Sequence, residues 1–336
     1  MFLVIGVKQR VGVIVNNNAT RVSPALIGGM FLISDQDSFY VTKRPNDLPE
    51  IVEKLVEMDT IFFVGGDGTV TSGIQALQNL RKKESLDRLP RIACAKAGNG
   101  NAIAHDLGGA RPLRMLEYLL KTATADVPTL DVPLLEVKAD GDTSYCTFAG
   151  MGWDAGIIKK YDQRKKAGKF LSRGLSGYLM AALLEGVHEL WNNEAIPIEM
   201  QTKGRLRHRR EDGSHEDVTN IDPDLYSRVI GINVMEHYGY GLRAFPYAAE
   251  AREEGLAQLR IAHGESRLLP LRLAFNWRRI FAGTYQGFED YRADHLQFSA
   301  DKPFPVQIAG DLLPDVSSLE IEVSREARAQ FVKYQP

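Results

Sequence analysis

The residues best placed to do chemistry form a run of glycines around one carboxylate, Val64-Gly65-Gly66-Asp67-Gly68-Thr69-Val70. The run follows Thr60-Ile61-Phe62-Phe63-Val64, a continuously apolar stretch of the kind buried on both faces of a parallel sheet. It precedes a helix expected from about Thr71 to Arg81. Glycines permit positive φ and let backbone N–H groups approach phosphate oxygens closely. A helix start adds a favourable dipole for an anion. A carboxylate inside such a loop would repel phosphate unless it holds Mg²⁺ or takes a proton during the reaction. The plain alternative is a tight strand-to-helix turn in which Asp67 only caps the helix. A second strand-to-helix junction, Ala97-Gly98-Asn99-Gly100-Asn101-Ala102, follows a strand expected at Arg91 to Ala95.

Elements that alternate in type must position these loops. Val11-Gly12-Val13-Ile14-Val15 is a β-branched run halted by Asn16-Asn17-Asn18, and Phe39-Tyr40-Val41-Thr42 is a second strand candidate. Asp47 with Glu50 three residues on reads as a capping box, opening a helix with Leu48, Ile51, Val52, Leu55 and Val56 on one face. A further helix is expected from about Arg111 to Lys121. This alternation predicts a doubly wound, Rossmann-like α/β domain over residues 1–129, with ligands at the strand C-termini.

From about Leu130 the texture changes to strand-like runs, including Leu134–Val137, Val229–Val234, Ala257–Ile261, Leu296–Phe298 and Val306–Ile308. Helical patterns at Leu175–Leu190 and Leu271–Phe281 interrupt them. The expectation is a mainly antiparallel β-sandwich over residues 130–312, with residues 313–336 returning to the first domain. The polar segment Thr202 to Asp224 reads as a long surface loop.

With 336 residues, 44% of them hydrophobic, the chain can build two cores. A net charge of -2 supplies no field to gather nucleic acid. Cys94 and Cys146 have no partners at metal-ligand spacing, which favours a reducing, cytoplasmic setting. The seven histidines show no metal-binding spacing. The short apolar start, Met1 to Val7, lacks the basic and cleavage features of a leader, and no run approaches the roughly 20 apolar residues of a membrane span. The basic stretch Lys159, Lys160, Arg164, Lys165, Lys166, Lys169 and Arg173 suits either a solvated helix face or an anionic membrane surface.

Gly65-Gly66-Asp67-Gly68-Thr69 resembles the nucleotide-binding loop shared by diacylglycerol, sphingosine and NAD kinases and phosphofructokinases. The run Gly98 to Gly108 is similar to the lipid-kinase pattern G-[TS]-G-N-D-F-A-R-x-L-G, with Asn99 in the Thr/Ser place. Ile14-Val15-Asn16, Phe148 to Ala155, Asn233 to Ala248 and Glu254-Gly255-Leu256 resemble further family elements in the family's order. The chain is thus identified as similar to the diacylglycerol kinase/sphingosine kinase-like lipid kinases.

That resemblance implies ATP and Mg²⁺ as cofactors and a lipid hydroxyl as acceptor, met at the inner membrane face. It implies a nucleotide site at Asn16, Thr42, Gly65, Gly66, Asp67, Gly68, Thr69, Gly98, Asn99, Gly100 and Asn101. It assigns metal roles to Asp67 and Glu254, the latter standing where the family has Asp. Near the C-terminus the family's D-G-E becomes Ala309-Gly310-Asp311, leaving Asp311 or Asp67 to handle the hydroxyl proton, unless Gly310-Asp311 is only a hairpin turn. Two other readings follow from the same residues: an NAD kinase sharing the glycine loop, or a nucleotide-binding regulatory protein weakened by Ala309.

Overall fold

The computed structural model describes residues 9–84, 86–168, 176–178, 180, 181, 184, 198–219, 221, 227–263, 275–285 and 287–335. It divides into two compact units. The first comprises Met1–Val132, Gly239–Gly241 and Ala327–Pro336, and the second Pro133–Tyr238 and Leu242–Glu326. The return to the first unit therefore comes at Ala327, later than position 313, because the last strand is long and starts in the second unit.

In the first unit β1 (Val11–Asn16), α1 (Pro24–Ile33), β2 (Phe39–Thr42), α2 (Leu48–Leu55), β3 (Thr60–Val64), α3 (Asp67–Glu84), β4 (Arg91–Cys94), α4 (Ala102–Asp106) and α5 (Pro112–Lys121) follow in order. The strands pair in parallel in the order β2-β1-β3-β4, with register Val13↔Phe62 and Phe63↔Cys94 among others. α1 packs with α5 and α2 with α3. Val13, Val15, Phe62 and Val64 share a core with Met30, Met115, Leu116 and Leu119. Phe62 and Phe63 are both fully buried. Their removal from water contributes roughly 1.5–3 kcal/mol each.

Local signals set the helix ends. Ser23 caps α1 by accepting from Leu26 N–H, with Pro24 at the first helical position. The capping box expected at Asp47 is not formed. Asp47 is itself helical in backbone, so its carboxylate turns back and accepts from Lys43 and Arg44 N–H.

The second unit takes in most of β5 (Thr129–Ala139), then β6 (Asp142–Cys146), β7 (Phe148–Gly152), α6 (Trp153–Lys166), β8 (Glu199–Thr202), β9 (Leu206–Arg209), β10 (His215–Asp217) and β11 (Ser227–Asn233). It continues with α7 (Ala248–Glu253), β12 (Ala257–His263), α8 (Trp277–Phe281), β13 (Glu289–Ala293), β14 (His295–Phe304), β15 (Val306–Ile308), β16 (Asp311–Leu312) and the start of β17 (Val316–Val332). An eight-stranded sheet runs β10-β9-β13-β12-β11-β7-β15-β16, and its registered pairs are antiparallel. A further antiparallel set joins β8, β14 and the early part of β17, and β5 pairs with β6. The α/β and mainly antiparallel architecture matches the one expected from sequence.

The segment Thr202–Asp224 is not the loop its polarity suggested. β9 and β10 form a hairpin with Gly213 at φ +85°, and β9 pairs with β13. Leu206 is buried and the His208 ring lies 4.9 Å from that of Tyr291, so backbone pairing and one covered face suffice for strands rich in charge. Residues 222–226 lie outside the described part. Of the helix expected at Leu175–Leu190, residues 176–178, 180, 181 and 184 are described and are helical; of Leu271–Phe281, residues 271–274 lie outside. The basic stretch forms α6 up to Lys166, with Arg164, Lys165 and Lys166 complementing the helix C-terminus and Lys159 paired to Asp315 at 3.0 Å. Lys169 and Arg173 lie outside the described residues. Both cysteines are free and buried. No described helix is long and apolar enough to cross a membrane.

Candidate active site

In the first unit the two glycine-rich loops leave the C-terminal ends of neighbouring parallel strands, β3 and β4. Their backbones touch. A Cβ on Gly98 would lie 2.3 Å from Gly66 Cα, a clash between main chains that no rotamer change could relieve. Gly98 is fixed in turn by Asn101, whose carboxamide accepts from Gly98 N–H at 2.8 Å and donates to Gly98 O at 2.9 Å. Asn101 is buried and adopts a left-handed conformation (φ 54°), one that Asn tolerates better than most side chains. Gly100 O accepts from Tyr240 N–H at 2.7 Å, so the short Gly239–Gly241 segment braces this loop.

Asp67 is the first residue of α3 rather than a residue ahead of it. Its carboxylate does not cap its own helix. It reaches the other loop and accepts from Ile103 N–H at 3.1 Å, at the start of α4. Burial pushes this carboxyl above the ordinary range, while backbone N–H groups of Ala102, Ile103, Asp67 and Asn101 pull it back down. Asn16, at the end of β1, donates to Thr69 Oγ1 at 2.9 Å, and its Oδ1 accepts from Asn18 N–H. Thr42 is buried beside it, registered opposite Asn16 in the sheet. Asn16, Thr42, Gly65–Thr69 and Gly98–Asn101 thus converge on one edge of the parallel sheet.

In the second unit Asp311 opens β16, directly opposite Ile308 across a two-residue turn. Ala309 (φ 50°) and Gly310 (φ 92°) both have positive φ, the pairing that a type I′ hairpin demands. The hairpin alternative is therefore correct as geometry, and it leaves Asp311 exposed at the turn's edge. Neighbouring atoms still crowd that carboxyl. The partial desolvation, with the charge of Asp162 behind it and Lys165 opposing, holds it above the ordinary carboxylate range. Glu254 is engaged otherwise: Arg207 donates to it at 2.9 Å and Arg292 also pairs with it. A metal ion there would have to displace two guanidinium groups, so the metal assignment for Glu254 does not fit its surroundings.

A third carboxylate was not singled out by sequence. Asp154, at the start of α6, is buried and accepts from Tyr238 Oη–H and from Gln307 Nε2, each at 2.7 Å. Tyr238 in turn accepts from Tyr178 at 3.1 Å. Burial raises the Asp154 carboxyl to about 6, against the two hydrogen bonds that lower it.

The model of the diacylglycerol kinase catalytic domain matches residues 10–132, which are the strands, helices and loops of the first unit. That segment is similar to the diacylglycerol kinase catalytic domain family. In structure the whole chain is similar to a diacylglycerol kinase from Bacillus anthracis str. Sterne, at TM-score 0.56 and 17% identity over 98% of each chain. A protein proposed to be a diacylglycerol kinase from the same organism is similar at TM-score 0.54 and 15% identity, over 97% of this chain and 98% of its own. Those likenesses establish a shared fold. No curated protein matches in sequence.

Within residues 10–132, sequence spacing placed both glycine-rich loops at strand ends but missed how the loops hold each other. Asn101 reads as one more polar loop residue, and only its left-handed backbone and its double bond to Gly98 mark it as the latch. Asp154 lies inside the family-like stretch Phe148 to Ala155, while Gln307 carried no signal. Among the described residues, His295, Glu320 and Glu322 are the one group whose ligand atoms lie within 4.8 Å of one another. The His295–Glu320 pair at 2.8 Å and Lys138 at 3.6 Å from Glu320 account for two of these three as a surface ion network.

Proposed function

We propose that the chain is an ATP- and Mg²⁺-dependent lipid kinase. The observation that carries this reading is the contact between Gly66 and Gly98, which packs two amide-rich loops together beside the Asp67 carboxylate. A triphosphate needs such a bed of N–H donors with no side chains in the way. Mg²⁺ bound to a nucleotide is commonly held by one or two carboxylates plus phosphates and water, so Asp67 alone fits that donor set. The ion would neutralise charge on the phosphates; Asn16, through Thr69, and Asn101, through Gly98, keep the loops in shape to receive them.

In the transfer itself the acceptor hydroxyl oxygen forms a bond to the γ-phosphorus as the bond to the bridging oxygen of ADP breaks. The hydroxyl proton passes to a carboxylate, for which Asp311 is assigned, with Asp67 the alternative. Positioning and charge neutralisation supply most of the acceleration in such reactions. The acceptor is a lipid alcohol such as diacylglycerol, a sphingoid base or ceramide, met at a membrane surface by a peripheral enzyme.

The test is phosphate transfer from labelled ATP to mixed-lipid vesicles by wild type and Asp67→Ala, alongside calorimetry with MgATP. Binding and turnover in wild type, with turnover lost in the variant, is the expected result. No nucleotide binding at millimolar concentration would sink the proposal. A second reading rests on Ala309, which stands where the resembling kinases carry an acid: nucleotide binding without turnover across all lipids would make the chain a regulatory protein.

A further inference from the structure

The strand pairing of the second unit places Gln307 directly opposite Gly150, with β15 against β7. Gly150 has no side chain, and that bare position is a lane. A Cβ there would sit 1.9 Å from Asp154 Oδ2 and 2.8 Å from Gln307 Nε2. Through the lane the fully buried Gln307 side chain reaches Asp154 with Nε2 at 2.7 Å. Its other end, Oε1, accepts from the backbone N–H of Gly310 at 2.7 Å. A carboxylate only accepts and a main-chain N–H only donates, so this carboxamide can bridge them in a single orientation. Asp154 is itself held from the far side by Tyr238 and, through it, Tyr178.

The anchored group is the turn that carries Asp311. That turn needs an anchor. Ala309 is a non-glycine residue in a left-handed conformation, and β16 is only two residues long. Neither feature fixes a hairpin by itself. A buried polar network with its partners in place specifies one arrangement where apolar packing would tolerate several.

We infer that Gln307, braced by Asp154, is a positioning residue that locks the Ala309–Gly310 turn and so sets the direction in which Asp311 is presented to the reacting hydroxyl. The inference rests on the reading of Asp311 as the proton acceptor, and its test separates the two. Gln307→Leu and Asp311→Asn are compared with wild type in steady-state lipid phosphorylation, with amide hydrogen exchange followed at Gly310. The Leu variant is expected to lose about 10- to 100-fold in kcat, with KM for ATP within about twofold, as misplacement of a reacting group does. Exchange at Gly310 accelerates in the same variant. Asp154→Asn keeps an oxygen for Gln307, because the Tyr238 hydroxyl can rotate, and is expected to retain much of the wild-type rate.

An unchanged kcat in Gln307→Leu beside an impaired Asp311→Asn overturns the positioning role and leaves the proton-acceptor reading standing. Full activity in Asp311→Asn removes that reading and the present inference with it. Unchanged exchange at Gly310 overturns the inference whatever the rates do. If Gln307→Leu does not fold, Gln307→Met, closer in shape, is judged by the same two measurements.

Discussion

Asp67 in the first unit and Asp154 in the second are both carboxylates set among hydrogen-bond donors, with both pKa values raised by burial. Their donors differ in kind. Asp67 draws on main-chain N–H groups at the start of α4, donors that the loop conformation supplies whatever the neighbouring side chains. Asp154 draws on two side chains, Tyr238 and Gln307, that lie 84 and 153 positions away in the chain. The first arrangement suits a ligand that brings its own charge, because amides orient without adding any. The second is closed by side chains of its own unit and reads as an internal brace. Two similar carboxylates therefore stand at the proposed nucleotide site in one case and beside the turn of Asp311 in the other.

The comparison breaks most sharply at Asp67. Replacing it with Ala is expected to lower turnover by about 10²–10⁴-fold, the range associated with a positioned acid–base group. A loss in kcat below tenfold in the lipid assay would demote Asp67 to a simple cap.

Asp154 should instead be seen in stability. Its folded-state pKa of about 6 lies above the free-carboxyl value of 3.8, so the native state holds the proton more tightly than the unfolded chain. That contribution is full below the unfolded value and is lost as pH rises through about 6. Between about pH 4 and pH 7, wild type should therefore lose on the order of 3 kcal/mol relative to Asp154→Asn. Urea denaturation across that range measures it; parallel curves would show that the burial of Asp154 is compensated elsewhere.

Gly98→Ala comes next. Its Cβ meets Gly66 backbone, so the loops must separate, and overpacking of this kind costs about 1–3 kcal/mol. Calorimetric MgATP affinity should fall by about 5- to 150-fold, and Tm should fall as well, since Gly98 is buried beside the core residue Ala97. Asn16→Ala is the mildest change. Losing one part-buried hydrogen bond to Thr69 should weaken nucleotide binding by about 0.5–1.5 kcal/mol, and an unaltered Kd would show that Thr69 is held without it.

Much of the first unit was legible in the sequence because its signals are local. Continuous apolar runs gave β1 and β3, and glycines at the strand ends gave the loops. The second unit was harder. Its strands β9 and β10 are charged and short, and what makes them strands is pairing: β10 with β9, and β9 with β13, a partner more than 70 residues on. The capping box at Asp47 failed for a related reason, since the pattern of residues was present but the backbone had already turned helical before it.

Sequence alone determined where the two glycine-rich loops fall, because glycine content, strand–helix context and one acid are properties of consecutive residues. Tertiary structure alone decided that Asp67 spans to the second loop, that Glu254 is taken up by arginines, and that Gln307 links Asp154 to the turn of Asp311. Each of those depends on which side chain arrives opposite which, and only the pairing of distant strands and helices fixes that.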